Sequence, residues 1–254
     1  MAAGATVRDM LFLYSNARAA YERFIEIGSK PGLARNAVAL LLWLDQGRHH
    51  VMSHVPGLTR DAVVHLAREA GAVLDRLHQD SLLLPPTPLM SALCCQDGGG
   101  IDPAAFAFSQ DVIVRGVAEI LDGVGTLIFD DRLYRLYHRH QTGLLGRHPE
   151  LEEPYVSVPA AVPEDCRSMF ITFSRGQSVE RDEIFDYFRR KWGDCIVRVL
   201  LEKTTRGAEP MYGRIIFKSE AFVSLVLNGE DRAAIFIRDR EIWLRKYIPR
   251  PHNG

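Results

Sequence analysis

The chain of 254 residues is long enough for one large domain or two small ones, and its 47% hydrophobic and 25% charged residues are ordinary for a globular protein. A net charge of −1 excludes wholesale electrostatic binding, but the charge is uneven. Residues 165–250 carry 17 Lys and Arg against 13 Asp and Glu, a net of +4, while the remainder is net −5. That excess is mild, short of the basic patch of a strongly electrostatic binder. Cys94, Cys95, Cys166 and Cys195 have neither zinc-ligand spacing nor a disulfide framework, which suits reduced thiols inside a cell. The N-terminus shows no secretory pattern, and no stretch reaches the roughly 18 apolar residues that span a bilayer. The expectation is an intracellular protein of the nucleus or cytoplasm.

The first part of the chain is helical by pattern. Segment 7–28 offers Leu11, Leu13, Tyr14, Tyr21, Phe24 and Ile25 before Gly28 and Pro31 stop it. Segment 32–46 contains AVALLLWL, the run that buries most completely. Segment 59–79 repeats Val63, Val64, Leu66, Val73, Leu74 and Leu77 at helical spacing, with Thr59 placed to cap. Prolines in DSLLLPPTPLM end that helix. A short helix over 88–95 precedes the break QDGGG, and helical patterns return at 103–121 and 129–145. Residues 1–146 therefore read as a helical domain, suited to protein interaction or self-association. Residues 147–165, with their prolines and acidic residues, read as a semi-extended linker.

From residue 166 to 250 short strands alternate with helices. SMFITFS (168–174) alternates as a strand, and Ser178 is placed to cap a helix whose Glu180, Asp182 and Glu183 suit its positive end. Ile184, Phe185, Phe188 and Trp192 share a face of that helix before Gly193. CIVRVLLEK (195–203) is a β-branched strand, and EPMYGRIIFKS (209–219) contains the next. A helix over 219–227 ends at Asn228-Gly229, and 233–237 with 241–247 form a hairpin around RDR. The order is β-α-β-β-α-β with one small extra strand, a split βαβ arrangement. The fold class expected is α + α/β.

Two strand motifs carry a family resemblance. MFITFS (169–174) matches the first three positions of the six-residue first-strand signature of the RNA recognition motif, with Phe170 as its aromatic. Phe173 and Ser174 replace its Asn-Leu. PMYGRIIF (210–217) matches the eight-residue third-strand signature at Tyr212, Gly213, Ile215 and Phe217, while Arg214 stands where a second aromatic is expected. The C-terminal third resembles that family, and the helical first half is similar to plant proteins that pair a helical region with one such domain. The resemblance implies post-transcriptional binding of single-stranded RNA on an open sheet face, with aromatic rings stacking on bases. Phe170 and Tyr212 would each take one base, and Arg214 would stack or hold a phosphate. Trp243, Arg245 and Tyr247 join that face if Ile242 and Leu244 point inward. Arg198, on the second strand, and Lys203 and Arg206, in the loop after it, complete a set of four aromatics and five basic groups.

Other readings compete for the same residues. The tail YIPRPHNG, the linker or the helical half would cover the face in a protein that keeps it for itself, and Arg214 would then only solubilise the sheet. The alternative function is a protein-interaction adaptor using the acidic Asp182, Glu183 and Asp186, although the Arg-any-Phe tripeptide of such modules is missing. Trp192 reads as a core anchor, and His49, His50 and His54 as surface and packing residues. No nucleophile–base pair, phosphate-binding glycine loop or metal motif emerges, so neither an enzyme, a cofactor nor a metal is expected.

Overall fold

The computed structural model describes residues 4–46, 51–77, 86–95, 110–156, 162–174, 177–204 and 208–249. The helix expected over 7–28 is two helices, α1 (Val7–Leu13) and α2 (Ser15–Glu26), broken at Tyr14, where φ is −99° and ψ 21°. Thr6 opens α1 with a capping box: its hydroxyl accepts from the Asp9 N–H, and the Asp9 carboxylate accepts from the Thr6 N–H. α3 (Pro31–Asp45) starts on a proline, harmless where the N–H has no intrahelical acceptor. Ala34, Asn36 to Leu42 and Leu44 are all buried, so α3 is enclosed nearly all round, as its continuous apolar run requires. α4 (Val51–His54) leads through a short 3-10 turn to α5 (Arg60–Arg76), which Thr59 caps by accepting from the Ala62 N–H. α6 (Pro88–Cys95), α7 (Gln110–Asp122), α8 (Gly125–Ile128) and α9 (Asp131–Gln141) follow. The QDGGG break, residues 103–109 and most of the proline-rich stretch lie outside the described residues. α9 is shorter than the 129–145 expected, because the Asp130 carboxylate accepts from the Arg132 and Leu133 N–H groups and sets its start.

The stretch expected as a linker is not free where it is described. It contains α10 (Pro149–Glu152), whose Leu151 is fully buried against Val7, Leu11, Leu133 and Tyr137. Its backbone is tied down as well: Val7 N–H donates to the Glu153 carbonyl at 2.9 Å, and Tyr155 N–H to the Ala5 carbonyl at 2.8 Å. The prolines bracket this docked turn and do not keep it extended.

Beyond it lie β1 (Ser168–Phe173), α11 (Arg181–Trp192), β2 (Ile196–Leu201), β3 (Tyr212–Phe217), α12 (Glu220–Leu227), β4 (Arg232–Ile237) and β5 (Arg240–Lys246). The strands form one antiparallel sheet in the order β2-β3-β1-β5-β4, so the fold is mixed α + β. Glu180, not Ser178, caps α11, in a reciprocal box with Glu183. Gly193 (φ 69°) ends that helix, and the left-handed Asn228 (φ 42°) ends α12. Met169, Ile171, Phe173, Ile215, Phe217, Ile242 and Leu244 are buried on the sheet face that α11 and α12 cover. Phe188 meets Phe217 edge-on at 5.4 Å and Trp192 at 5.7 Å.

Two separate cores were expected, one on each side of the linker; instead the main core spans both parts, and the small cluster around Leu151 stands apart from it. α7 packs on both α11 and α12, α3 packs on α12, and the buried side chains run without a break from α2 to β5. The contact is specific as well as apolar. Asn36, fully buried, donates through Nδ2 to the Ser224 carbonyl at 2.9 Å and to Asn228 Oδ1 at 3.1 Å, and Asn228 Nδ2 donates to Asp75 at 2.7 Å. Trp192 is a core anchor, its indole N–H donating to the Leu77 carbonyl at 3.2 Å. Gly32 and Gly229 let two backbones touch. A Cβ on Gly229 (φ 86°) would lie 2.7 Å from Leu33 N, and one on Gly32 would lie 2.9 Å from Gly229 Cα.

Gly229→Ala should therefore destabilise the whole chain by about 1–3 kcal/mol. Urea unfolding followed by far-ultraviolet circular dichroism and by tryptophan fluorescence should give one coincident transition. Two separate transitions would contradict a shared core.

Candidate functional site

Successive side chains of a strand point to opposite faces. With Ile171, Ile215, Ile235, Ile242 and Leu244 against the helices, the other face presents Phe170 and Thr172 from β1, Tyr212, Arg214 and Ile216 from β3, and Trp243 and Arg245 from β5. β2 adds Arg198 and Leu200 beyond a register shift that follows Ile196. The register sets a row across all five strands: Leu200, Arg214, Phe170, Arg245 and Arg232. A second row carries Tyr212, Thr172, Trp243 and Ala234.

Guanidinium groups and rings interleave on this face. Arg245 lies 4.6 Å from the Phe170 ring centroid, Arg214 3.9 Å from Tyr247, and Arg232 5.1 Å from Trp243. All are within the range in which the ring quadrupole attracts a cation. Phe170 and Tyr212 are not two independent platforms, as the sequence suggested. Their centroids are 5.7 Å apart with planes at 22°, so the two rings stack on each other. Phe170 is half-buried, whereas Tyr212 is 43% and Trp243 39% exposed. Of the rings expected on this face, the outward ones are therefore Tyr212 and Trp243.

One end of the face is closed by the chain itself. Ser168 and Ile216 are fully buried there, and Glu164 and Asp165 sit across their edge. Asp165 accepts from Arg214 Nη2 at 2.6 Å, Ser168 Oγ accepts from the same nitrogen at 3.0 Å, and Glu164 pairs with Arg198 at 2.9 Å. Arg214, with a side chain only 19% exposed, is thus a buttress tied to Asp165 and Tyr247. Arg245 and Lys203 are exposed, and Arg206 lies outside the described residues. The acidic pair was missed because it falls at the end of the presumed linker. Arg232 was missed because β4 begins one residue earlier than the 233–237 expected; Phe236 lay inside that strand but was not placed on this face, where alternation from Ile235 and Ile237 puts both.

Elsewhere, Glu183 of the acidic helix start pairs with Arg238 and Arg240, each at 2.6 Å, while α7 packs along α11. Burial pushes the Cys94 thiol up to about 11 and the Cys195 thiol up to about 12, which keeps both protonated and inert at neutral pH. Among the described residues, which exclude His49 and His50, no group of three or more His, Cys, Asp or Glu could hold a metal ion. Nor is any described helix long and apolar enough to cross a membrane. Comparison with protein-family models, curated proteins and solved structures finds no match for the chain.

Asp165→Asn should cost about 1 kcal/mol in urea denaturation, since its partner Arg214 is largely buried while Asp165 is not. Glu164→Gln, in a pair exposed on both sides, should change stability by less than about 0.5 kcal/mol. An equal loss in both variants would mean that burial of Arg214 does not set the strength of its ion pair.

Proposed function

We propose that this protein binds single-stranded RNA on the uncovered face of its sheet, and that residues 166–250 form a domain of the RNA recognition motif type. The observation that carries this reading is the interleaving of rings and arginines, with Arg232 over the outward Trp243 and Arg245 over Phe170, on a face that no described element covers save at the Ile216 end. An unpaired base has a planar face for Tyr212 or Trp243, and the phosphate beside it has a guanidinium within reach. The strand order supports the family, since β1 and β3, which carry Phe170 and Tyr212, are central neighbours.

In this reading the bundle of α1 to α9 is a platform for a protein partner or a second copy of the chain, and the protein acts inside the cell in post-transcriptional control. Its role is binding, without catalysis or a cofactor. The adaptor alternative gains no support from α11, whose Glu183 is engaged by Arg238 and Arg240 and which α7 packs against.

Tyr212→Ala should weaken binding of unstructured RNA by about 1–3 kcal/mol with an unchanged circular dichroism spectrum. Asp165→Asn, which releases Arg214 for a phosphate, should tighten binding and steepen its salt dependence by up to one contact. Fluorescence anisotropy at two salt concentrations measures both. Wild-type-like binding by Tyr212→Ala would remove the sheet face from the site.

A further inference from the structure

β4 adds a group of side chains that the resemblance does not account for. Arg232, Ala234 and Phe236 alternate along its outer face, while Ile235 and Ile237 are buried beneath. Arg232 stands directly opposite Arg245 in the β4–β5 register. Like charges in directly opposed positions repel, so this pairing is unfavourable in the free protein. Among the described residues neither arginine forms an ion pair with a carboxylate, although other arginines of the sheet region do so, Arg198, Arg214 and Arg240 included. Two cations held side by side with no counter-charge make a receptor for an anion, and a phosphate is the anion whose oxygens suit two guanidinium groups at once.

The surroundings specify more than an anion. Trp243 lies directly opposite Ala234, whose methyl leaves the space beside the indole open. Arg232 covers one side of that indole at 5.1 Å. Phe236, opposite Glu241 and 56% exposed, stands diagonal to Trp243 across Ala234. Diagonal positions on paired strands are about 7–8 Å apart, and a ring stacked between two others needs about 3.5–4 Å on each side. Spacing of that order suits one planar base between the positions of Trp243 and Phe236, over Ala234.

We infer that Arg232, Trp243, Phe236 and Arg245 form a separate nucleotide subsite on the β4–β5 hairpin, in which a base inserts beside Trp243 and its phosphate bridges Arg232 and Arg245. This rests on the reading of the sheet as an RNA face and extends it by one strand. RNA bound there lies across the sheet from Tyr212 on β3, over β1 and β5, to β4, so the footprint is longer than the Phe170–Tyr212 pair alone provides. The repulsion between the two arginines keeps the subsite unfavourable until a phosphate arrives, which couples occupancy to the anion.

The test uses the full chain and short single-stranded RNA of randomised sequence, with binding measured by anisotropy over a salt series. Arg232→Gln should weaken binding about tenfold and lower the slope of log affinity against log salt by about one. Phe236→Ala should weaken it about tenfold with the slope unchanged, because a ring carries no charge. Arg238→Gln, in the adjoining turn and already paired with Glu183, should leave both quantities as in the parent. If the parent binds and Tyr212→Ala weakens it while Arg232→Gln and Phe236→Ala do not, the subsite is wrong and the sheet reading stands. If Arg238→Gln lowers the slope as much as Arg232→Gln, the effect is general charge and the subsite is wrong. If the parent binds no RNA, both readings fall together.

Discussion

Everything about this protein's surface follows from the burial of α12 on two sides. This eight-residue helix packs on β1, β3, β4 and β5 and also meets α7 and α3. A helix enclosed in that way needs apolar residues nearly all round, and EAFVSLVL supplies them. Its remaining polar groups must then find partners inside the protein. The Ser224 carbonyl accepts from Asn36, and the chain of amides through Asn228 to Asp75 fixes α3 and α5 against the far end of the helix. The bundle thus occupies the side of α11 and α12 that faces away from the sheet, and the opposite sheet face is the one left uncovered.

That arrangement also explains the chemistry of the open face. A sheet face without cover must stay soluble and avoid edge-to-edge association. Here arginines stacked on Phe170, Trp243 and Tyr247 serve both ends, giving each of these rings a polar neighbour. The counter-charges are asymmetric. At the β2 side Glu164 and Asp165 neutralise Arg198 and Arg214, whereas at the β4 side Arg232 and Arg245 face each other with no described carboxylate paired to either. Among the described residues, the arginines of this face are therefore neutralised at one edge and left without a paired carboxylate at the other.

Much of this was legible in the chain. Period-two alternation in MFITF, YGRIIF and EIWLRK assigned the rings to one face, and Ile242 and Leu244 do point inward as that assignment needs. The single helix over 7–28 was misjudged because apolar spacing persists across Tyr14, and no residue type there announces a break. The two-core expectation failed for a different reason. Periodicity reports which face of a helix is buried and not what buries it, so even the nearly all-round apolar α12 announces that it is enclosed without showing that α7 does the enclosing. The docked α10 was hidden by its own prolines, since only long-range pairing with Val7 and Ala5 reveals that it is held. Glu164 and Asp165 likewise acquire meaning only through Arg198 and Arg214, which lie tens of residues away in sequence.

Asn228 shows how a helix end can be recruited for long-range work. Its φ of 42° is a conformation in which glycine is the usual occupant and in which a glycine substitution ordinarily relieves strain. Here the amide, itself buried, also bridges the fully buried Asn36 and the exposed Asp75. Easing the backbone would remove both bonds, one of them made to the fully buried Asn36, and this loss opposes the gain. The routes by which such a protein can drift or be engineered toward greater stability are therefore narrower than its helix-capping pattern suggests, because the local optimum and the global one ask for different residues at the same position.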